Sequence, residues 1–177
     1  MGNTTRALDL LQLINYCGQI DGRKKLQKIV HILKESGAQF DYSYSFHFHG
    51  PFSTDLRNDV QSLVHDGLLE ETSGPSFSGD FVQYTYKVAT SGKTWLKNRG
   101  SSSQDWVNSA QSLCSMTANE LEAISTLIYL IRAGIAQEDL QQKFETLKPH
   151  LKSKYDFAHE KAMEMLKTAS QSPDPES

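Results

Sequence analysis

Two stretches of this 177-residue chain carry side chains suited to contacting a polyanion. The first, STDLRNDVQSLVHD over 53–66, reads as a helix capped by Ser53, with Leu56, Val60, Leu63 and Val64 on one stripe. The opposing face presents Thr54, Asn58, Gln61, Ser62 and His65, with Arg57 at its margin. Asn and Gln can pair bidentately with adenine edges, and Arg serves bases and phosphates alike. Asp55, Asp59 and Asp66 line the other margin and would repel phosphate, and a plain solvated face accounts for the same residues. The second stretch, GRKKLQKIVHILKES over 22–36, is the basic one. Lys24 and Lys28 lie one turn apart and are expected to point away from a buried stripe of Leu26, Ile29, Val30 and Leu33, with Arg23, Lys25 and Lys34 close by. Phosphate positioning and an ordinary charged surface are equally served by this pattern.

Other reactive side chains form no recognisable constellation. His47 and His49 share one face of an alternating segment and could hold a metal, yet a structural zinc site takes four ligands including Cys, and neither Cys17 nor Cys114 has a spaced partner. No G-x-S-x-G, glycine-rich phosphate cradle or H-E-x-x-H occurs. Gly92-Lys93-Thr94 lacks the earlier glycine of a P-loop and reads as a turn into a helix. The expectation is therefore no catalytic residue, no metal and no cofactor.

The elements that must position these groups follow from periodicity. Leu8, Leu11, Leu13 and Ile14 mark a first helix over 4–17, and Asp21 is the expected N-cap of the second. Tyr42, Tyr44, Phe46 and Phe48 alternate with Ser43, Ser45, His47 and His49, which predicts a half-buried strand ended by Gly50-Pro51. Gly67 stops the third helix. Leu68-Leu69 and FVQYTYKVA form a hairpin around a loop at 73–80, and Thr90-Ser91 starts a short helix carrying Trp95 and Leu96. Beyond a polar break at 101–103 the chain reads as all helix: a segment with Trp106 and Leu113, a capping box at Thr117–Glu120, a helix with Phe144, and a last one from Tyr155. Leu121, Ile124, Ile128, Ile131 and Ile135, then Tyr155, Ala162 and Met165, recur at 3–4 spacing, the mark of a core or an oligomer seam.

Helix, helix, strand, helix, hairpin is the order of a winged helix-turn-helix, and the block from Gly50 to Leu96 resembles PadR-type and MarR-type regulators. A closer resemblance is to the YwgA-like family, with Panacea-domain antitoxin-like proteins more remote. It rests on Gly22-Arg23-Lys24-Lys25-Leu26-Gln27-Lys28, on Phe46-His47-Phe48-His49-Gly50-Pro51-Phe52-Ser53, and on Gly67-Leu68-Leu69. It covers roughly the first hundred residues best. These likenesses imply a fold more than an activity.

The expected architecture is α+β, mainly α: a winged-helix domain at 1–100 with an extra strand, a helical oligomerisation segment at 101–170, and a disordered tail at 171–177. Eighteen Lys+Arg against 21 Asp+Glu give a net charge of −3, which excludes a protein that coats DNA through bulk positive charge. Residues 1–100 are close to neutral and 101–177 are acidic, so attraction for nucleic acid must come from the first half. The expected function is a non-enzymatic DNA-binding regulator, a homodimer on double-stranded DNA, with a protein-interaction module as the alternative, using Tyr42, Tyr44, Phe77 and Tyr84. With no apolar run long enough to cross a bilayer and two thiols read as lone, a regulatory disulfide between Cys17 and Cys114 being the alternative, the expected setting is the cytoplasm.

Overall fold

The computed structural model describes residues 2–76, 79, 81–99 and 105–169. The expected break at 101–103, Phe77 in the hairpin loop, and the tail at 171–177 lie outside the described residues. The chain opens with α1 (Gly2–Cys17), β1 (Ile20–Asp21) and α2 (Arg23–Glu35). A small hairpin of β2 (Ser45–His47) and β3 (Gly50–Phe52) precedes α3 (Thr54–His65). A longer hairpin, β4 (Leu69–Pro75) and β5 (Val82–Val88), leads into α4 (Thr90–Arg99). Then come α5 (Val107–Ser115), α6 (Ala118–Arg132), α7 (Gln137–Leu147), a 3-10 segment (Pro149–Lys154) and α8 (Tyr155–Ala169). The protein is α+β and mainly α.

Two antiparallel sheets are present among the described residues, one ordered β1-β5-β4 and the other the β2-β3 pair. Ile20 pairs with Tyr86, so the short β1 extends the edge of the longer hairpin. This order, with α1, α2 and α3 around it, is compatible with a winged helix-turn-helix; the β2-β3 hairpin is inserted between its second and third helices. The strand expected over 42–49 is corrected to Ser45–His47. Tyr42 is buried and Ser43 exposed, so the alternation in burial holds without a partner ladder. The chain then reverses at Phe48-His49, and Gly50-Pro51 begins the return strand instead of ending the first. Gly50 adopts φ +84, and a Cβ there would lie 3.0 Å from Thr126 Oγ1, so both backbone and space call for glycine.

Two helix starts carry the side-chain caps expected of them, and a third does not. Ser53 Oγ accepts from Leu56 N at 3.2 Å, and Thr117 with Glu120 completes its capping box. Asp21, however, does not cap α2. It lies in β1, accepting from Gln19 and Thr85 side chains, while Gly22 at φ +113 starts the helix.

One buried cluster takes Leu10, Leu11 and Ile14 from α1, Ile29 and Leu33 from α2, Leu56 from α3, and Leu121 and Ile124 from α6. Residues 26–33 are all buried, as are 121–128, because α2 and α6 lie against each other at the centre. The oligomer seam is corrected accordingly. Leu121, Ile124 and Ile128 are fully buried within one chain, as is Ala162, with Met165 and Tyr155 nearly so. Ile131 and Ile135 are half-buried against the same core. A stripe already covered by its own chain offers nothing to a second copy.

The expectation of two free thiols is also corrected: Cys17, at the end of α1, and Cys114, in α5, form a disulfide across 97 positions with Cα atoms 5.9 Å apart. We expect no free thiols in the denatured, unreduced protein by thiol titration, and a loss of about 2–4 kcal/mol of unfolding free energy on reduction. Gly92 packs its backbone against the Leu68 carbonyl, which a Cβ would overlap. Gly92→Ala should cost about 3 kcal/mol in urea denaturation, an overpacking penalty.

Candidate functional site: a cationic cleft at the inserted hairpin

The cleft is built on a polar seam along α2. Gln27 uses both ends of its amide: Nε2 donates to Ser53 O at 2.8 Å and Oε1 accepts from Ser53 N at 2.9 Å. At the next residue, Lys28 Nζ donates to Pro51 O at 2.5 Å. From the opposite side Lys148 Nζ donates to Phe48 O at 2.7 Å and pairs with Glu122 Oε1 at 2.7 Å. Two buried ammonium groups thus hold two main-chain carbonyls of one hairpin. Lys28 was expected on a solvated face; it is only 2% exposed, because the hairpin covers the side of α2 that would otherwise face water.

Between α2, the β2-β3 hairpin, α3 and the longer sheet lies a cleft of about 500 Å3. Leu26, Leu56, Val60 and Phe52 give it an apolar floor. Arg23, Lys24, Lys28 and Arg57 supply positive charge, with His47 and His49 from the hairpin. Glu71 is the sole acid among the lining residues described, and it is already engaged. Its carboxylate accepts from Tyr86 Oη at 2.6 Å and lies 3.4 Å from Arg23 Nη2. Burial and that bond push the Tyr86 hydroxyl up to about 12, so it stays protonated. Arg23 also donates to Tyr86 Oη and stacks 3.5 Å from the Tyr84 ring centre.

The residues expected to bind nucleic acid separate into three groups. Arg23, Lys24, Lys28, Thr54, Arg57 and Gln61 come together around the cleft. Asn58 and Ser62 are exposed on α3 but outside it. Lys25 is turned inward, half-buried, its Nζ donating to Cys114 O at 2.6 Å. The acidic margin of α3 also changes, since Asp59 is bound by Arg6 at 3.0 Å and by the Tyr42 hydroxyl at 3.1 Å. Asp55 and Asp66 remain exposed.

Three features escaped sequence reasoning. Phe48, expected on a buried face, is 89% exposed at the hairpin tip, because the reversal at Phe48-His49 takes it off the strand. Tyr42 is buried, Tyr44 half-buried against His31, and Tyr84 covered by Arg23, so none offers the free aromatic surface expected of them. Finally, Ser125 Oγ and His31 Nδ1 lie 2.9 Å apart between α6 and α2. Both are sealed from solvent, and burial with Lys28 and Lys34 nearby lowers the His31 pKa to about 3. The enclosed imidazole packs α2 against α6, and among the described residues no carboxylate is hydrogen-bonded to it.

Burial is the main cause that lowers the Lys28 pKa to about 7, opposed by Glu122 and aided by Lys148 and Lys24. The unfolded chain holds that proton to about 10.4, so between pH 7 and 10 unfolding takes up a proton and stability rises with pH. Urea denaturation should show this rise, Lys28 contributing a slope of up to about 1.4 kcal/mol per pH unit. Lys25, also lowered by burial, adds in the same sense. Lys28→Met should flatten the rise by the Lys28 share.

No protein-family model matches the chain. A search of known proteins finds similarity to the Bacillus subtilis (strain 168) protein named Uncharacterized protein YwgA, 31% identical over 157 residues, covering 89% of this chain and 90% of that one. The matched length takes in both the hairpin-bearing half and most of the helices behind it, so the likeness extends well past the motifs around the cleft. The chain belongs to the YwgA-like family.

Proposed function

We propose that this is a non-enzymatic, winged-helix nucleic-acid-binding protein that contacts duplex DNA through α3 and the N-terminal end of α2. The observation that carries this is the placement of Arg23, Lys24 and Arg57 on one exposed rim beside the free Asn58, Gln61 and Ser62. Lysine and arginine position the phosphates, and the amide side chains have the donor and acceptor pairs that base edges require. Withdrawal of Asp59 into its pairing with Arg6 removes one repulsive charge from that face. β4 of the longer hairpin packs against α3, which suits the role of a wing. Three cations per chain give the binding modest strength. Regulation of transcription is the role this activity would serve.

A protein partner is the second reading, favoured by Phe48 together with Phe81 and Val82, which are 64% and 60% exposed.

Fluorescence polarisation with a labelled duplex at low ionic strength tests the first reading. Binding should weaken with salt at a log–log slope of about −2.7, three phosphate contacts' worth. Lys24→Ala with Arg57→Ala should bring that slope close to about −0.9. No binding at the lowest salt, or binding indifferent to both substitutions, overturns it.

A further inference from the structure

The cleft is better shaped for a small molecule than a duplex alone requires. Its lining includes a set of apolar side chains, Leu26, Leu56, Val60 and Phe52, that contacts to phosphates and base edges do not call for. A volume of about 500 Å3 is that of pockets that enclose a compact organic ligand. At the bottom lies a charge imbalance. Lys28 is buried, and among the described residues no carboxylate comes within ion-pair distance of it; a main-chain carbonyl is its hydrogen-bond partner. Lys24 and Arg57 above it likewise make no ion pair among the described residues, and Arg57 lies 6.0 Å over the Phe52 ring. A buried cation without a counter-charge is an unfavourable arrangement that an incoming anion would relieve. The exposed Phe48 ring stands at the same opening and offers a flat apolar face.

We infer that this cleft is a binding site for a flat aromatic acid, its ring on the Leu26, Val60 and Phe52 floor beneath Phe48 and its carboxylate directed at Lys28, Lys24 and Arg57. This assignment stands apart from nucleic-acid binding, but the two share Lys24 and Arg57, so an occupied cleft competes with DNA. A carboxylate beside Lys28 favours the charged ammonium. Its other charged or titratable neighbours are Glu122, Lys148, Lys24, His31 and His49. Above pH 7, binding therefore takes up a proton.

Isothermal titration of the full chain with 2-naphthoate, and in parallel with the neutral 2-naphthamide, tests the assignment without DNA. The acid should bind at least about tenfold tighter than the amide, a gap that Lys24→Ala with Arg57→Ala closes. Titrations at pH 8 in buffers of different ionisation enthalpy should show net proton uptake, lost in Lys28→Met, with circular dichroism confirming that both variants fold. Equal affinity for acid and amide, no binding of either, or a preference that survives both substitutions overturns it. If the acid binds and the duplex does not, the cleft stands and the nucleic-acid proposal falls. The reverse result removes the cleft alone.

Discussion

Two ammonium groups removed from water, each donating to a backbone carbonyl of the same short hairpin, set the geometry on which the rest of this molecule depends. Lys28 reaches Pro51 O from α2, and Lys148 reaches Phe48 O from the segment before the 3-10 turn, with Glu122 of α6 balancing the second. Between them Gln27 grips the backbone of Ser53, the residue that caps α3. Because a buried polar group deprived of its hydrogen-bond partner costs about 1–3 kcal/mol, these contacts resist slippage more than an apolar seam would. They therefore place α2, α3 and α6 relative to one another. The cleft is the space left over once that placement is made.

The insertion changes what the face of α2 and α3 can recognise. In the absence of a hairpin, the N-terminal ends of two such helices would present a convex, open surface. With β2 and β3 docked beside them, the same surface gains a wall, and its cations rim a depression with an apolar floor. Local electrostatics then matter more than the net charge of −3. Most of the acidity belongs to residues 101–177, while the depression draws its charge from Arg23, Lys24, Lys28 and Arg57. The Cys17–Cys114 bond, with Lys25 anchored on Cys114 O beside it, ties the start of α2 to the helical half and steadies that rim from below.

Helix positions and types were legible because amphipathic periodicity and caps such as Ser53 and Thr117 are local signals. What periodicity could not show is how many sides of a helix are covered. Lys24 and Lys28 look alike in sequence, yet one remains in water and the other is enclosed by an element that arrives 20 or so residues later. The same ambiguity affected Leu121, Ile124 and Ile128, whose spacing serves a monomer's core as well as a dimer's seam. In sequence, Gln27, Lys28 and the Gly50-Pro51-Phe52-Ser53 run carry a likeness to a family. Their physical meaning, a side-chain-to-backbone clamp, needed the two segments side by side. The sequence offers pairing of Cys17 with Cys114 only as an alternative to lone thiols, since thiols 97 positions apart carry no local mark of their proximity.

Attachment of the hairpin through its main chain leaves its tip residues uncommitted. Neither Phe48 nor His49 supplies a side chain to the clamp: what Lys148 holds at Phe48 is the carbonyl oxygen that nearly every residue type would present in the same place. Such a design separates the part of the loop that determines posture from the part that determines taste. Side chains at 48 and 49 can be exchanged during divergence at little cost to folding, so related proteins can keep one scaffold while turning it toward different molecules.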